Sequence, residues 1–404
     1  MNAELLTPRH AHTRKDSVPP SRARVAVVVI SDLEFGGAQR QVVELANHMD
    51  AARYDLHVVV LHDYAPLADS LRDAGRRLHV IQRRGKFDFT VVTRLRALLK
   101  QLGASVVHGY LFDAEIAARL AGRMAGAAVI GSERNTDYEL KRINKLAYGL
   151  TRWGHDFTIA NSRAGAEFNA RLLGQPSAQY RVVYNGVDVN RFQPRDSVAL
   201  RAELGLRPEH RVVGIMASFK PQKNHLMFIE AAARVVRAVP DARFLFVGDE
   251  LFQGSCDSAE TKGKMLARVE ELGLKLHCLF VGNRKDVERY FNVCEVTALS
   301  SLFEGTPNAA LESMASGVPV VATDVSDHRH VIPDGRVGFV VPLNDVESFA
   351  ERISRLLLNE EARRAMAHNA RAWVMEEFSC ARLGEKTADV YDEAVAKLEG
   401  RPLR

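Results

Sequence analysis

The sequence predicts an α/β protein built from two domains, each a doubly wound parallel sheet. Three observations carry that expectation. Short apolar runs rich in Val and Ile, the mark of strands buried on both faces, alternate with amphipathic segments along the chain. The pattern halts at a turn-forming stretch, Asn185-Gly186-Val187-Asp188 followed by Phe192-Gln193-Pro194, and then restarts. The length, 404 residues, also exceeds what one ordinary core holds.

The elements follow in order. Residues 1–22 are polar, with Pro8, Pro19, Pro20 and several basic residues but no secretory apolar region, and read as a disordered leader. Arg24 to Ile30 predicts a buried strand. Residues 38–49 predict a helix with Val42, Val43, Leu45 and Ala46 on its apolar side. Strands follow at Leu56 to Leu61, Val106-Val107, Val129-Ile130 and Phe157 to Ile159. The second half opens with a strand at Val212 to Met216 and a helix over 224–239. Strands at Phe244 to Val247, Leu279 to Val281 and Val296 to Leu299 come next. The first domain is expected over 23–195 and the second over 209–379, with the boundary near 190–208.

Composition narrows the class. With 47% hydrophobic and 26% charged residues, this is the make-up of a soluble globular protein. No stretch approaches the roughly 20 apolar residues of a membrane span. Cys256, Cys278, Cys294 and Cys380 lack C-x-x-C spacing, which argues against a zinc site or a disulfide framework and fits a reducing cytoplasm. The net charge of +5 is uneven. Residues 1–200 hold 28 Lys+Arg against 20 Asp+Glu, and residues 201–404 hold 27 against 30. A basic first half suggests an anionic partner there, although a basic stripe is also an ordinary solvated face.

The densest chemistry lies in Ser300-Ser301-Leu302-Phe303-Glu304-Gly305-Thr306-Pro307-Asn308-Ala309-Ala310-Leu311-Glu312. Glu304 falls in the loop after a strand, and Glu312 on the helix that follows. Gly305 reads as a tight turn, Thr306 as the N-cap and Pro307 as the first helical residue. Gly317 and Pro319 end the helix, and Val320 to Ala322 begin the next strand. A helix N-terminus at the carboxyl end of a parallel strand attracts anions. A similar strand-to-helix turn holds Gly36 and Gly37, and Lys220 and Lys223 follow the first strand of the second half.

This run resembles the E-x7-E segment of glycosyltransferase family 4, whose retaining enzymes have the GT-B fold of two Rossmann-like domains facing across a cleft. The resemblance extends from about residue 24 to about residue 395. It implies that Glu312 contacts the nucleotide ribose and that Glu304 lies near the donor sugar and its leaving group. Gly305, Thr306, Pro307, Asn308 and Ala309 then join Gly36 and Gly37 in donor binding. Lys223 matches the family lysine that steadies the leaving diphosphate. Ser218 stands where many members have arginine, and Lys220 is the candidate replacement. Arg284, after Val281-Gly282-Asn283, either stacks on the base or faces solvent. His108 is a candidate for positioning the transferred sugar, with a strand-end histidine satisfied by backbone as the alternative. Asp113, Arg134 and Asn135 are candidates for acceptor or sugar contact. After Thr323 many members carry Gly-Gly and then glutamate. Asp324-Val325-Ser326-Asp327-His328-Arg329-His330 lacks all three, consistent with a different donor sugar. The fold also implies that residues 380–397 form a helix crossing back to the first domain.

The implied reaction moves a sugar from a nucleotide-diphosphate sugar, such as a UDP-sugar, to an acceptor hydroxyl with retention. The acceptor is expected to be a carbohydrate or a lipid-linked polysaccharide precursor. No metal or other cofactor is expected, because no credible D-x-D loop is present; nor is a nucleic-acid partner. A hydrolase or sugar-nucleotide epimerase on the same fold, or a non-catalytic nucleotide-binding subunit, is the alternative. Arg94 to Leu102 and Lys141 to Arg152 interleave Lys and Arg with apolar residues. Such segments lie on anionic membranes or pack as ordinary surface helices. The expected location is therefore the cytoplasm, with docking on the inner leaflet as an extension.

Overall fold

The structure is a computed structural model. It describes residues 23–400 except residues 35, 64, 86–87, 135–139 and 251–255. The expected leader, residues 1–22, lies outside the described residues, as does Asn135.

Two parallel sheets organise the chain. The first contains β1 (Arg24–Ile30), β2 (Tyr54–Val60), β3 (Leu78–Val80), β4 (Ala104–Tyr110), β5 (Ala128–Glu133), β6 (Phe157–Ala160) and β7 (Tyr180–Val182). Their order is β3-β2-β1-β4-β5-β6-β7. The second contains β8 (Arg211–Met216), β9 (Ala242–Val247), β10 (Cys278–Phe280), β11 (Val296–Leu299), β12 (Val320–Thr323) and β13 (Gly338–Val341), in the order β10-β9-β8-β11-β12-β13. Every named strand pair is parallel.

Strand alternation explains the valine runs. In β1, Ala26, Val28 and Ile30 pack in one buried cluster, while Val27 and Val29 pack in another. Both faces are covered, so both faces are apolar. The edge strands β3, β7 and β13 escape the sequence reading. They are three or four residues long, and such short runs carry little periodicity.

In each sheet the strand order reverses at one place, between β1 and β4 and between β8 and β11. A crevice opens there at the carboxyl ends of the strands, which is where doubly wound sheets take ligands. The two switch points face each other.

The passage between domains is drawn out along the chain. Val187, Phe192, Leu200 and Leu206 pack in the second core, so the stretch around the expected boundary at 190–208 already leans on the second domain. The return passage lies beside it. Val187 N–H donates to the Phe378 carbonyl (2.8 Å), and Cys380 N–H donates to the Val187 carbonyl (3.1 Å). The helix Cys380–Leu398 then lies on the first domain. Its Leu383, Tyr391, Ala394 and Val395 are part of that domain's core. Asp392 fixes it there by accepting from Tyr54 Oη (2.7 Å), Arg24 (3.0 Å) and Arg53 (2.5 Å). Among the described residues no helix is long and apolar enough to cross a membrane.

Candidate active site

The interdomain cleft encloses about 600 Å³ and opens into a second crevice of about 350 Å³. The turn Pro221–Lys223 and the loop before Glu304 build its floor. Ser300 Oγ donates to the Lys223 carbonyl (2.9 Å). Gln222 Nε2 donates to the Phe303 carbonyl (2.7 Å), and Leu302 N–H to the Gln222 carbonyl (2.8 Å). These three bonds hold the loops in register. Lys223 Nζ consequently stands 2.5 Å from Glu304 Oε1, which also accepts from Ser301 Oγ at 2.7 Å. Lys220 lines the same cleft.

Glu312 sits one helical turn into the helix Asn308–Ala315 and lines both cavities. Burial raises its carboxyl above the usual glutamate range, and the Arg40 guanidinium opposes that rise from 3.4 Å. A largely buried carboxylate with a weakly placed cationic partner is well suited to accept hydrogen bonds from neutral hydroxyls. Arg284 lines the smaller crevice with Gly36 and Gly37, and its guanidinium lies 5.8 Å from the Tyr290 ring centroid.

The expected helix start in this loop is corrected. Thr306 is not the N-cap, because the helix starts at Asn308 with Pro307 in the capping position and no side-chain cap bond. The Thr306 hydroxyl instead donates to the Asn161 carbonyl of the first domain and accepts from Asn185 N–H (3.2 Å). The chain bends at Gly305 as expected, without a left-handed backbone. A Cβ there would lie 2.6 Å from Asn161 Oδ1 and 3.0 Å from the Arg134 carbonyl, so glycine is required for the close approach of the two domains. Ala309 lines the cleft, and Asn308 Oδ1 accepts from Asn185 Nδ2 at 2.7 Å.

The first domain contributes Gly37, Arg134, Asn161 and Asn185 to the main cleft. Arg134 is held flat, its guanidinium 4.4 Å from the Tyr110 ring centroid, and it donates to Asn185 Oδ1 (3.3 Å). His108 does not reach the cleft. It shares a face of β4 with Tyr110, and the helix Cys380–Leu398 covers that face. Its Nδ1 lies 2.8 Å from Tyr391 Oη and its Nε2 lies 2.7 Å from Ser132 Oγ. Burial, helped by the Arg134 charge, holds this imidazole neutral, with a pKa well below the usual value. The histidine is satisfied by side chains and stands behind Arg134. Asp113 is likewise outside the cleft, on the first turn of the helix Phe112–Ala125 and ion-paired with Arg83 at 2.9 Å.

The residues that sequence reasoning missed are Arg40, Ser301, Asn161, Asn185 and Asp327. Arg40 stands three residues after the glycine pair, and Asn185 opens the turn before the domain boundary. Asp327 lies in the loop that departs from the family pattern. Ser326 beside it holds φ at 49°, a left-handed conformation costing a side-chain-bearing residue roughly 1–2 kcal/mol. Ser326 Oγ donates to the Glu304 carbonyl (2.5 Å) and accepts from Glu304 N–H (3.3 Å), which keeps the Glu304 backbone in place. Among the described residues one trio of possible metal ligands stands together, Glu44, His48 and Cys380. It lies where the helices Gly37–His48 and Cys380–Leu398 meet, and none of the three lines the main cleft.

The model of "Glycosyltransferase Family 4" matches residues 35–191, and that of "Glycosyl transferases group 1" matches residues 196–373. The chain belongs to glycosyltransferase family 4. It is 26% identical over 394 residues to UDP-Gal:alpha-D-GlcNAc-diphosphoundecaprenol alpha-1,3-galactosyltransferase of Escherichia coli, covering 93% of this chain and 98% of that protein. It is 25% identical over 311 residues to N-acetyl-alpha-D-glucosaminyl L-malate synthase of Bacillus anthracis, covering 76% and 79%. The solved structure of Anabaena HepE in complex with UDP matches with a TM-score of 0.79 at 21% identity, covering 91% of this chain and 99% of that one. The family 4 chain thus has the GT-B fold and is a glycosyltransferase.

Proposed function

We propose that this enzyme transfers a sugar, with retention, from a UDP-sugar to a hydroxyl of a lipid-linked polysaccharide precursor, without a metal ion. The observation that carries the reading is the convergence of Lys223, Glu304 and Glu312 at the two-domain cleft. Glu312 accepts hydrogen bonds from the ribose hydroxyls. The diphosphate lies toward Lys220, Lys223 and the N-terminus of the helix Asn308–Ala315, where fixed positive charge and free N–H groups favour it. On binding, the diphosphate takes over Lys223 and releases Glu304 toward the donor sugar. In the transfer step the bond from the anomeric carbon to the phosphate oxygen breaks. The acceptor oxygen bonds to that carbon on the same face, and its proton passes to the leaving phosphate oxygen. No separate protein base is needed. The relatives named for UDP-Gal and seen with UDP support the choice of uridine.

The lipid-linked acceptor is supported by the helix Arg142–Leu150. Ile143, Leu146, Leu150 and the nearby Trp153 are 60–70% exposed. Lys141, Arg142 and Lys145 are exposed on the same segment. Leaving that much apolar surface in water beside cations suits an anionic bilayer surface. The decisive experiment offers UDP- and GDP-sugars in turn with a diphosphate-polyprenyl-linked saccharide. The anomeric configuration of the product is then read by NMR. Transfer from a UDP-sugar with the donor's configuration is expected. Inversion, transfer from GDP-sugars alone, or release of free sugar at the same rate without acceptor would refute the reading.

A further inference from the structure

We propose that Asp327 is a positioning residue that latches the two domains shut and thereby sets Glu304 against the first domain. Its carboxylate belongs to the second domain but caps a helix of the first. Oδ2 accepts from Arg163 N–H (2.6 Å) and Oδ1 accepts from Ala164 N–H (3.0 Å), at the start of the helix Arg163–Leu173. Ser162 Oγ takes the next free donor, Gly165 N–H (2.9 Å), so three successive N–H groups of that turn are satisfied, two of them from across the cleft. Tyr184 Oη donates to the same carboxylate (2.6 Å), and the Tyr184 ring stacks on His330 with centroids 4.9 Å apart.

The chemistry favours a latch over a passive contact. A carboxylate bound by two N–H groups at the positive end of a helix makes charge-assisted bonds with a demanding geometry. Any rotation about the paired passages at Val187 and Ser379 breaks both bonds together, because the partners ride on different domains. Only Ser326 separates Asp327 from Val325 along this loop, and Ser326 grips the Glu304 backbone on both its N–H and its carbonyl. Engagement of Asp327 is therefore transmitted to Glu304 through one residue. That residue holds a left-handed backbone conformation that leaves little slack. The loop is the one that lacks the Gly-Gly and glutamate many family members carry after Thr323. The role of Glu304 in it rests on the transfer reaction proposed above; the closure itself does not.

The test compares native protein with Asp327→Ala and the isosteric Asp327→Asn. Amide hydrogen exchange is followed in the peptide holding Arg163 and Ala164, and UDP affinity, donor KM and kcat are measured in parallel. Asp327→Ala should exchange those two amides at least about tenfold faster and lower kcat about tenfold, with UDP affinity and donor KM within about twofold of native. Asp327→Asn, which keeps one acceptor oxygen, should fall between. Unchanged exchange at Arg163 and Ala164 in a folded variant would overturn the latch, whatever the activity. Faster exchange with unchanged kcat would overturn its link to Glu304. A loss of UDP affinity matching the loss of kcat would make Asp327 a donor ligand instead. Exchange needs no substrate, so an error in the assigned reaction leaves the latch test intact.

Discussion

The two walls of the cleft are built to different standards. The second-domain wall is a closed lattice, in which Lys223, Ser300, Ser301, Gln222 and Glu304 are tied to one another by bonds of 2.5–2.9 Å. The first-domain wall is sparser. Among the described residues the Arg134 guanidinium rests on one ring and on hydrogen bonds of 3.3 and 3.5 Å, and the helix Arg142–Leu150 of the same domain exposes apolar side chains. Under the proposed transfer reaction, the difference follows from what each wall would hold. A nucleotide diphosphate has fixed charges and fixed hydroxyls, so rigid, preset groups bind it best. An acceptor carried on a larger body must enter and leave, and a looser wall beside an exposed face allows that.

The sharpest way to break this comparison is to damage the rigid wall. Lys223→Ala should lower kcat by about 100-fold or more, as expected for losing one fixed charge aimed at a leaving group. Glu312→Ala should weaken UDP binding by about 10–100-fold through two lost charge-assisted hydrogen bonds. Steady-state kinetics and calorimetry on folded variants check both. A retained kcat in Lys223→Ala would remove the lysine from the mechanism.

The exposed helix Arg142–Leu150, away from the cleft lining, should respond differently. Neutralising Lys141, Arg142 and Lys145 together should reduce partition onto anionic liposomes by about 100-fold, at about 1 kcal/mol per charge. Turnover with a short water-soluble acceptor should stay near native. Sedimentation with anionic and neutral vesicles at rising salt measures it. Equal binding to both vesicle types, or to neither, would leave a water-borne acceptor as the better account.

A smaller effect concerns pH. In the proposed complex Glu312 makes its two charge-assisted hydroxyl bonds as a carboxylate and loses strength as an acceptor when protonated, and burial has raised its pKa. UDP affinity should therefore be full above that raised value and fall several-fold as pH drops through it, at a higher pH than an exposed glutamate would give. Stability moves the other way. The folded state holds this proton more tightly than the unfolded chain, so the contribution of Glu312 to stability declines as pH rises through the same window. Calorimetric titration of UDP across the acid limb follows the affinity. The smallest expected effect is none at all: excess chelator should leave turnover unchanged, and activity lost and then restored by a divalent ion would contradict the metal-free mechanism.

Much of this architecture was legible in the residue order. The central strands announce themselves because both faces are buried, and Lys223, Glu304 and Glu312, which the structure brings to one cleft, lie in local runs that resemble family motifs. The missed residues have meanings that are not local. Asn185 acts on Asn308, Arg40 on Glu312 and Asp327 on Arg163, each more than a hundred positions away. His108 misled for the opposite reason. Its residue type and strand-end position suggest chemistry, but a helix from the far end of the chain had already claimed that face of β4.

That same helix has a consequence for biogenesis. Its seat on the first domain joins residues as far apart as Arg24 and Asp392, whereas the second domain is contained between Val187 and Phe378. During synthesis the later-made lobe can finish first, while the earlier one waits with Tyr54 and its apolar neighbours uncovered until Tyr391 emerges. A chain cut short before residue 380 would therefore be damaged in the half farthest from the cut, and would aggregate through the lobe whose own sheet is complete.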